Sequence, residues 1–192
     1  SVNVMTKQRT EDNIHEYPLF THRELDDIRA QWIYRDIDRA FTVPDTNWEA
    51  TLFDAGHILG STGVLIREGA NTLFYTGDVN FEHQTICRAA DFPTSGIDVL
   101  IMESTRGDHA RAEGYSRKGE KERLASVIRD THEAGGAVLI PVFALGKTQE
   151  VMMMLHELLE EGLIPECPIF MGGLSTKITV LDLAGSAPTV VS

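Results

Sequence analysis

Three apolar runs in the first half of the chain each end in polar residues that could bind a metal ion. The first run is followed by His57, the second by Asp78 and the third by Glu103. An imidazole together with carboxylates suits zinc or a similar divalent cation, and an aspartate can bridge two such ions. Because zinc lowers the pKa of a bound water to about 7, a site of this kind could supply the nucleophile for a hydrolysis reaction.

Spacing alone leaves ordinary structural roles open for the same residues. A histidine after a strand is more often a loop or capping residue than a ligand, and Asp78 after Thr76-Gly77 is equally typical of a turn. One histidine and one or two carboxylates are also fewer than the three protein ligands that a catalytic zinc ion typically takes. The residue types therefore indicate an α/β protein with an incomplete candidate metal site.

Hydrophobic periodicity predicts a first part that is rich in strands. Thr21 and Glu24 have the spacing of a capping box, and the amphipathic pattern after them predicts a helix over 22–41. Alternating apolar residues and turn signals then predict strands and a hairpin. The predicted strands cover residues 48–55, 63–67, 72–76 and a short buried strand at 98–103, with the hairpin turn at 68–71.

The second part of the chain alternates helices with strands. Its predicted elements are a helix that follows the polar stretch 108–120 and ends at Gly135-Gly136, a strand at 137–142, a helix at 147–161, a strand at 168–171 and a helix at 175–183. This alternation is typical of βαβ units and a parallel sheet. We therefore predict one α/β part over residues 1–109 and another over 110–192.

Composition narrows the class of protein. The chain has 192 residues, of which 42% are hydrophobic and 24% charged, and it has two cysteines, so disorder and a disulfide framework are excluded. We expect a soluble, cytoplasmic protein, because no apolar stretch is long enough for a membrane helix and the first residues lack a signal peptide pattern. The net charge of −12 disfavours general attraction to nucleic acids, so such a substrate would need a local basic groove or a metal.

Four segments resemble, in order, motifs of the metallo-β-lactamase fold in its β-CASP branch, which includes ribonuclease J and the cleavage subunit of mRNA 3′-end processing. The segments are DAGHILGS at 54–61, LFYTGD at 73–78, IMEST at 101–105 and GAVLIPVFALGKTQE at 136–150. The resemblance implies part of a metallo-β-lactamase αββα sandwich, followed by the first part of an α/β β-CASP domain.

The resemblance also implies roles for individual residues. His57 would be a zinc ligand and Asp78 the carboxylate that bridges two zinc ions, while Glu103 would support a catalytic histidine. Ser61 belongs to the ligand loop, and Lys147 stands at a helix start where the family usually has arginine. Both residues are assigned to substrate binding. For Lys147 the helix start also favours an anion, with a solvated lysine as the alternative.

The chain departs from the family pattern in three places. The His-x-His-x-Asp-His ligand cluster that normally precedes these motifs is absent, and so are the later β-CASP histidines. We therefore expect an internal segment of a longer enzyme, inactive by itself. Arg106 also replaces the tyrosine that is common in the Glu103 motif.

In the intact protein, the resemblance implies zinc-dependent hydrolysis of phosphodiester bonds in RNA, or in single-stranded DNA, by endonuclease or 5′-exonuclease action. The expected partners are RNA and either a second copy or an RNA-processing complex. Two alternatives stay open. One is a small-molecule hydrolase of the same fold, acting on thioesters or lactones. The other is an inactive paralogue that serves as a scaffold in RNA processing.

Overall fold

The computed structural model of the chain describes residues 21–173. These residues fall into two compact units, which divide after Asp36. The described part is mixed α/β and contains a five-stranded sheet and three α-helices. None of its helices combines the length and the apolar character needed to cross a lipid bilayer.

The helix of the first unit is shorter than the sequence predicts. Helix α1 covers His22–Arg29 and begins with the predicted capping box, in which Glu24 N donates to Thr21 Oγ1 at 3.3 Å and Thr21 N donates to Glu24 Oε2 at 2.6 Å. The prediction of a helix as far as residue 41 is wrong. Trp32 and Ile33 are each 61% exposed, so little apolar burial stabilises further turns, and a short helix is marginal without it.

The second unit begins with five strands in one sheet, and their order across the sheet follows their order in the sequence. The last four correspond to predicted strands, whereas the first is not predicted by the sequence pattern. The strands are β1 (Phe41–Thr42), β2 (Glu49–Asp54), β3 (Thr62–Glu68), β4 (Asn71–Tyr75) and β5 (Val99–Ile101). The first four pair antiparallel, and β5 pairs parallel to β4. The predicted hairpin turn is confirmed: Glu68 pairs with Asn71, and Gly69 takes a positive φ of 59° between them.

The buried face of this sheet is aromatic. Phe74 on β4 is 1% exposed and makes edge-to-face contacts with Phe53 at 6.1 Å and Phe92 at 4.8 Å between ring centroids. Gly63 on β3 leaves room for these rings, because a Cβ atom there would lie 2.8 Å from Phe74. Phe92 thereby packs the end of the segment after β4 onto the sheet. The same segment carries Asp78.

The prediction that β5 is buried is wrong. Its three side chains, Val99, Leu100 and Ile101, are 51%, 56% and 48% exposed. Residues of a parallel strand become buried when helices cover both faces of the sheet. Within residues 37–173, β5 is an edge strand that pairs only with β4.

The two helices of the second unit are confirmed. Helix α2 covers Arg117–Glu133 and α3 covers Lys147–Glu160, and the hydroxyl of Ser116 caps α2 by accepting from Gly119 N at 3.0 Å. The helices pack through a small core whose buried members are Ala125, Ile128, Leu155, Leu158 and Ile164. This core is the second hydrophobic cluster of the unit, beside the aromatic face of the sheet.

Two further strand predictions are wrong. Residues 137–142 form no strand, and Leu139 is 90% exposed; around 168–171 only Phe170 makes an isolated β-bridge. An apolar run becomes a strand only where a neighbouring strand pairs with its backbone, and none of the described residues does so along 137–142. The helix predicted at 175–183 lies outside the described residues. The division at 109–110 stays a prediction.

Candidate metal centre and substrate site

His57 lies in a tight loop, residues 55–61, between β2 and β3. Asp54 Oδ1 at the end of β2 accepts from Gly56 N at 2.8 Å, so the loop opens with an Asx turn. At the other end, Ser61 Oγ accepts from His57 N at 3.0 Å and Ile58 N at 3.2 Å, and donates to Ile58 O at 2.8 Å. The hydroxyl of Ser61 therefore shapes the loop that presents His57. The assignment of Ser61 to substrate binding stays a prediction.

Asp78 follows β4 and faces His57. Its Oδ2 lies 4.0 Å from His57 Nε2, with the Asp78 side chain 73% and the His57 side chain 37% exposed. A tetrahedral zinc ion with bonds of about 2.0–2.2 Å holds two ligand atoms about 3.4 Å apart, so these two side chains would have to approach by roughly 0.6 Å for one ion to contact both. Two residues that the sequence separates by a complete hairpin are thus brought together at one edge of the sheet.

The donor set fits part of a zinc site. An imidazole and a carboxylate are both ordinary zinc ligands, and both are accessible here. Among residues 21–173, however, no group of three or more His, Cys, Asp and Glu side chains is placed to hold a metal ion. His57 and Asp78 therefore supply two ligands and leave a site that further donors would have to complete.

Hydrogen bonds join the chain just after β4 to the end of β5 and the residues that follow it. Asp78 follows β4, and Glu103 follows β5. Thr76 is 1% exposed; its N donates to Ile101 O at 3.0 Å, its hydroxyl donates to Gly77 O at 2.7 Å, and the same oxygen accepts from Glu103 N at 3.3 Å. Gly77 has φ +58°, and a Cβ atom there would lie 2.9 Å from Thr62 O. This close backbone approach sets the direction in which the chain leaves β4 towards Asp78.

Glu103 anchors the Asp78 segment. Its Oε1 accepts from Val79 N at 2.7 Å, directly after Asp78. Hydrogen bonds from Thr105 and Val79, and to a smaller extent the nearby His57, lower the pKa of Glu103 below its usual 4.5. The carboxylate therefore stays ionised and able to accept at neutral pH. Its predicted role of orienting a catalytic histidine is separate from this contact and stays a prediction.

Lys147 begins α3, and its side chain is connected to the His57 loop through Gln84. Its Nζ lies 2.8 Å from Gln84 Oε1, and Gln84 Nε2 donates to Gly56 O at 2.7 Å and to His57 O at 3.0 Å. A single side chain, that of Gln84, therefore connects the half-buried lysine to the His57 loop. A phosphate contact by Lys147 stays a prediction.

Sequence reasoning missed Gln84 and the buried carboxylate of Glu150, which holds the backbone beside Gln84. Glu150 of α3 is 4% exposed and pairs with Arg117 of α2. A glutamate in the first turn of a helix is usually exposed, and Gln84 lies in a segment without regular structure, so the local pattern at neither position indicates these contacts. Glu150 is the last residue of the segment 136–150 that resembles a family motif, but the resemblance assigns it no role.

Comparison with known proteins shows that the chain is similar in sequence to two kinds of archaeal protein. It is 40% identical over 136 residues to the transcription termination factor FttA of Methanothermobacter thermautotrophicus, which covers 70% of this chain and 21% of that protein. It is 35% identical over 138 residues to an RNase J-like protein of Methanocaldococcus jannaschii, covering 72% of this chain and 32% of the relative. FttA of Pyrococcus horikoshii is 35% identical over 170 residues, covering 87% and 26%.

These relatives are homologues of the chain, and the RNase J-like protein among them agrees with the resemblance to ribonuclease J in the motifs. The chain spans about a fifth to a third of the length of the curated relatives it matches. No family model matches it.

Proposed function

We propose that this chain is part of a β-CASP nuclease of the metallo-β-lactamase fold, which hydrolyses phosphodiester bonds in RNA with zinc. The observation that carries the proposal is the pairing of His57 Nε2 and Asp78 Oδ2 at 4.0 Å. It occurs at the motif positions where the family would bind metal, in a chain homologous to an RNase J-like protein. The proposed architecture is part of an αββα sandwich over residues 1–109 and the first part of a β-CASP domain over 110–192.

His57 and Asp78 hold the metal in this proposal. When bound, zinc supplies the Lewis acidity that activates water and stabilises charge on phosphate oxygens. Ser61 and Asp54 fix the loop that directs His57, and the ionised Glu103 fixes the segment that directs Asp78. Glu103 further orients a histidine, supplied from outside the described residues, that protonates the leaving oxygen. The remaining metal ligands also come from outside them.

RNA is the proposed substrate because of the relatives. Their printed names are an RNase J-like protein and transcription termination factors, which favour action on a transcript. The net charge of −12 means that attraction to phosphates must be local. The metal ions and Lys147, at the positive end of the α3 dipole, supply that local charge.

The two alternatives differ from this proposal in substrate or in activity. A thioester or lactone hydrolase would use the same metal, and a scaffold paralogue would use none. The names of the relatives favour RNA over a small molecule. His57 and Asp78 are both present and face each other, which favours catalysis over a scaffold.

The test is to offer the longer protein that contains this chain RNA, a thioester and a lactone in parallel. We expect RNA to be cleaved, cleavage to stop when zinc is removed by a chelator, and cleavage to return when zinc is restored. Hydrolysis of the small molecules alone would establish the first alternative. A protein that binds no zinc and hydrolyses none of the three substrates would favour the scaffold.

A further inference from the structure

Gln84 uses its whole carboxamide to tie the His57 loop to α3. Both hydrogens of Nε2 are taken by the carbonyl oxygens of Gly56 and His57, at 2.7 and 3.0 Å, and Oε1 accepts from Lys147 Nζ at 2.8 Å. Carbonyl oxygens require a donor and an ammonium group requires an acceptor, so only one orientation of the amide satisfies all three contacts. The positive charge of Lys147 polarises that amide and strengthens its donation to the two carbonyls.

The backbone beside Gln84 is held in turn by a buried carboxylate. Glu150 accepts from Thr85 N at 2.7 Å and from Ile86 N at 3.0 Å, and it pairs with the guanidinium of Arg117. Arg117 also donates to Thr85 Oγ1 at 3.1 Å. A glutamate that is 4% exposed would be costly without partners, and here two amides and a cation satisfy it. Breaking one of these contacts leaves a buried charge and destabilises the whole arrangement.

The start of α3 also lies directly against the His57 loop. Gly146, the N-cap residue of α3, has φ +79°, and a Cβ atom there would overlap the side chain of Ile58. Ile58 follows His57, so the helix start and Gln84 reach adjacent residues of one loop. Together these contacts connect the His57 loop to α2 and α3 over separations of up to 65 residues in sequence.

We propose that Gln84 is a positioning residue for His57, and that Glu150 with Arg117 keeps Gln84 in place. Fixing the carbonyl oxygens of Gly56 and His57 fixes the peptide planes on both sides of the His57 Cα atom. The direction in which the imidazole leaves the backbone, and hence its approach to Asp78, is fixed with them. Gln84 itself touches neither metal nor substrate. The functional meaning of this positioning rests on the proposed function, but the positioning itself does not.

The test compares Gln84→Glu with Gln31→Glu in the metal-free 192-residue chain. Gln84→Glu removes both amide donors, keeps an acceptor for Lys147 and places a negative charge against two carbonyl oxygens. Gln31→Glu makes the same charge change on an exposed residue of the other unit. The readout is the NMR spectrum of the histidine rings, with the exposed His132 and His156 as internal references.

We expect Gln84→Glu to shift or broaden the His57 ring signals while the two reference histidines keep theirs, and Gln31→Glu to change none. An unchanged His57 signal in Gln84→Glu would overturn the positioning role. Gln84→Met removes the donors without adding charge and should shift or broaden the same signals. A change in Gln84→Glu that is absent from Gln84→Met would come from the added charge alone and would overturn the positioning role. Glu150→Gln, which removes the charged partner of Arg117, should also shift or broaden the His57 signals.

Zinc separates this proposal from the proposed function. Loss of a contact that orients a metal ligand typically lowers metal affinity by about 10- to 100-fold, so Gln84→Met should need correspondingly more zinc to perturb His57. If zinc leaves His57 unperturbed in the unmodified chain, the metal role fails while the metal-free comparison still decides whether Gln84 positions the ring. Equal zinc sensitivity in the chain and in Gln84→Met would overturn the claim that this positioning serves the metal.

Discussion

Asp78→Ala in the longer protein is expected to reduce zinc-dependent RNA cleavage by at least about 1,000-fold. Alanine offers no oxygen to the metal, and a bound ion contributes several kcal/mol of transition-state stabilisation, at about tenfold in rate for each 1.4 kcal/mol. The Asp78 side chain is 73% exposed, so the fold should not depend on it. The free energy of unfolding should change by less than about 0.5 kcal/mol, as is usual for surface substitutions.

The measurement pairs a cleavage assay on labelled RNA with urea unfolding of the same preparations. Asp26→Ala, at an exposed position on α1, is the matched control and should keep both activity and stability. Cleavage that survives Asp78→Ala would contradict the metal assignment. Loss of cleavage together with loss of the fold would mean that Asp78 has a structural role instead.

Gly56→Ala is expected to destabilise the chain more than any other glycine substitution in the His57 loop. Gly56 has φ +65°, which costs an L-residue about 1–2 kcal/mol. A Cβ atom there would also lie 2.6 Å from Ala90 N and from Asn80 O. Those two atoms are joined by a 2.8 Å hydrogen bond, so the methyl group would have to displace two hydrogen-bonded backbone segments. Backbone segments yield less easily than a flexible side chain would. We expect a total loss of at least about 3 kcal/mol, which is large for one substitution.

Gly60→Ala separates the two contributions. Gly60 lies in the same loop with φ +81°, and a Cβ atom there would meet nothing within 4 Å. It should therefore lose only the conformational cost, about 1–2 kcal/mol. Urea unfolding measures both variants. Equal losses would mean that the close approach of Asn80 and Ala90 to Gly56 does not constrain the loop.

The elements with strong local signals could be predicted from the sequence. The capping box at Thr21, the hairpin through Glu68 and Asn71, and the helices α2 and α3 all depend on neighbours within a few residues, and all four are observed. The extension of α1 and the strand at 137–142 were predicted from apolar periodicity alone. Periodicity shows that a segment could be buried, but a distant partner decides whether it is.

In the candidate site, too, some residues could be predicted from local sequence, whereas others depend on distant partners. His57, Asp78 and Glu103 could be selected because polar residues after apolar strands gather at one edge of a sheet, and the pairing of His57 with Asp78 agrees with that reasoning. Gln84 and Glu150 could not, because their roles lie in hydrogen bonds to backbone atoms 27 to 65 residues away. No local pattern records such contacts.

A zinc titration of the isotopically labelled chain, observed through the histidine rings and the Asp78 carboxylate, tests most directly whether these two residues hold the metal. We expect zinc to perturb His57 and Asp78 together, to leave His132 and His156 unaffected, and to act only weakly, because two ligands are fewer than a catalytic zinc ion takes. Asp78→Ala should weaken the effect on His57. Zinc that binds elsewhere, or that leaves His57 unchanged at saturation, would contradict the metal site and the nuclease proposed from it.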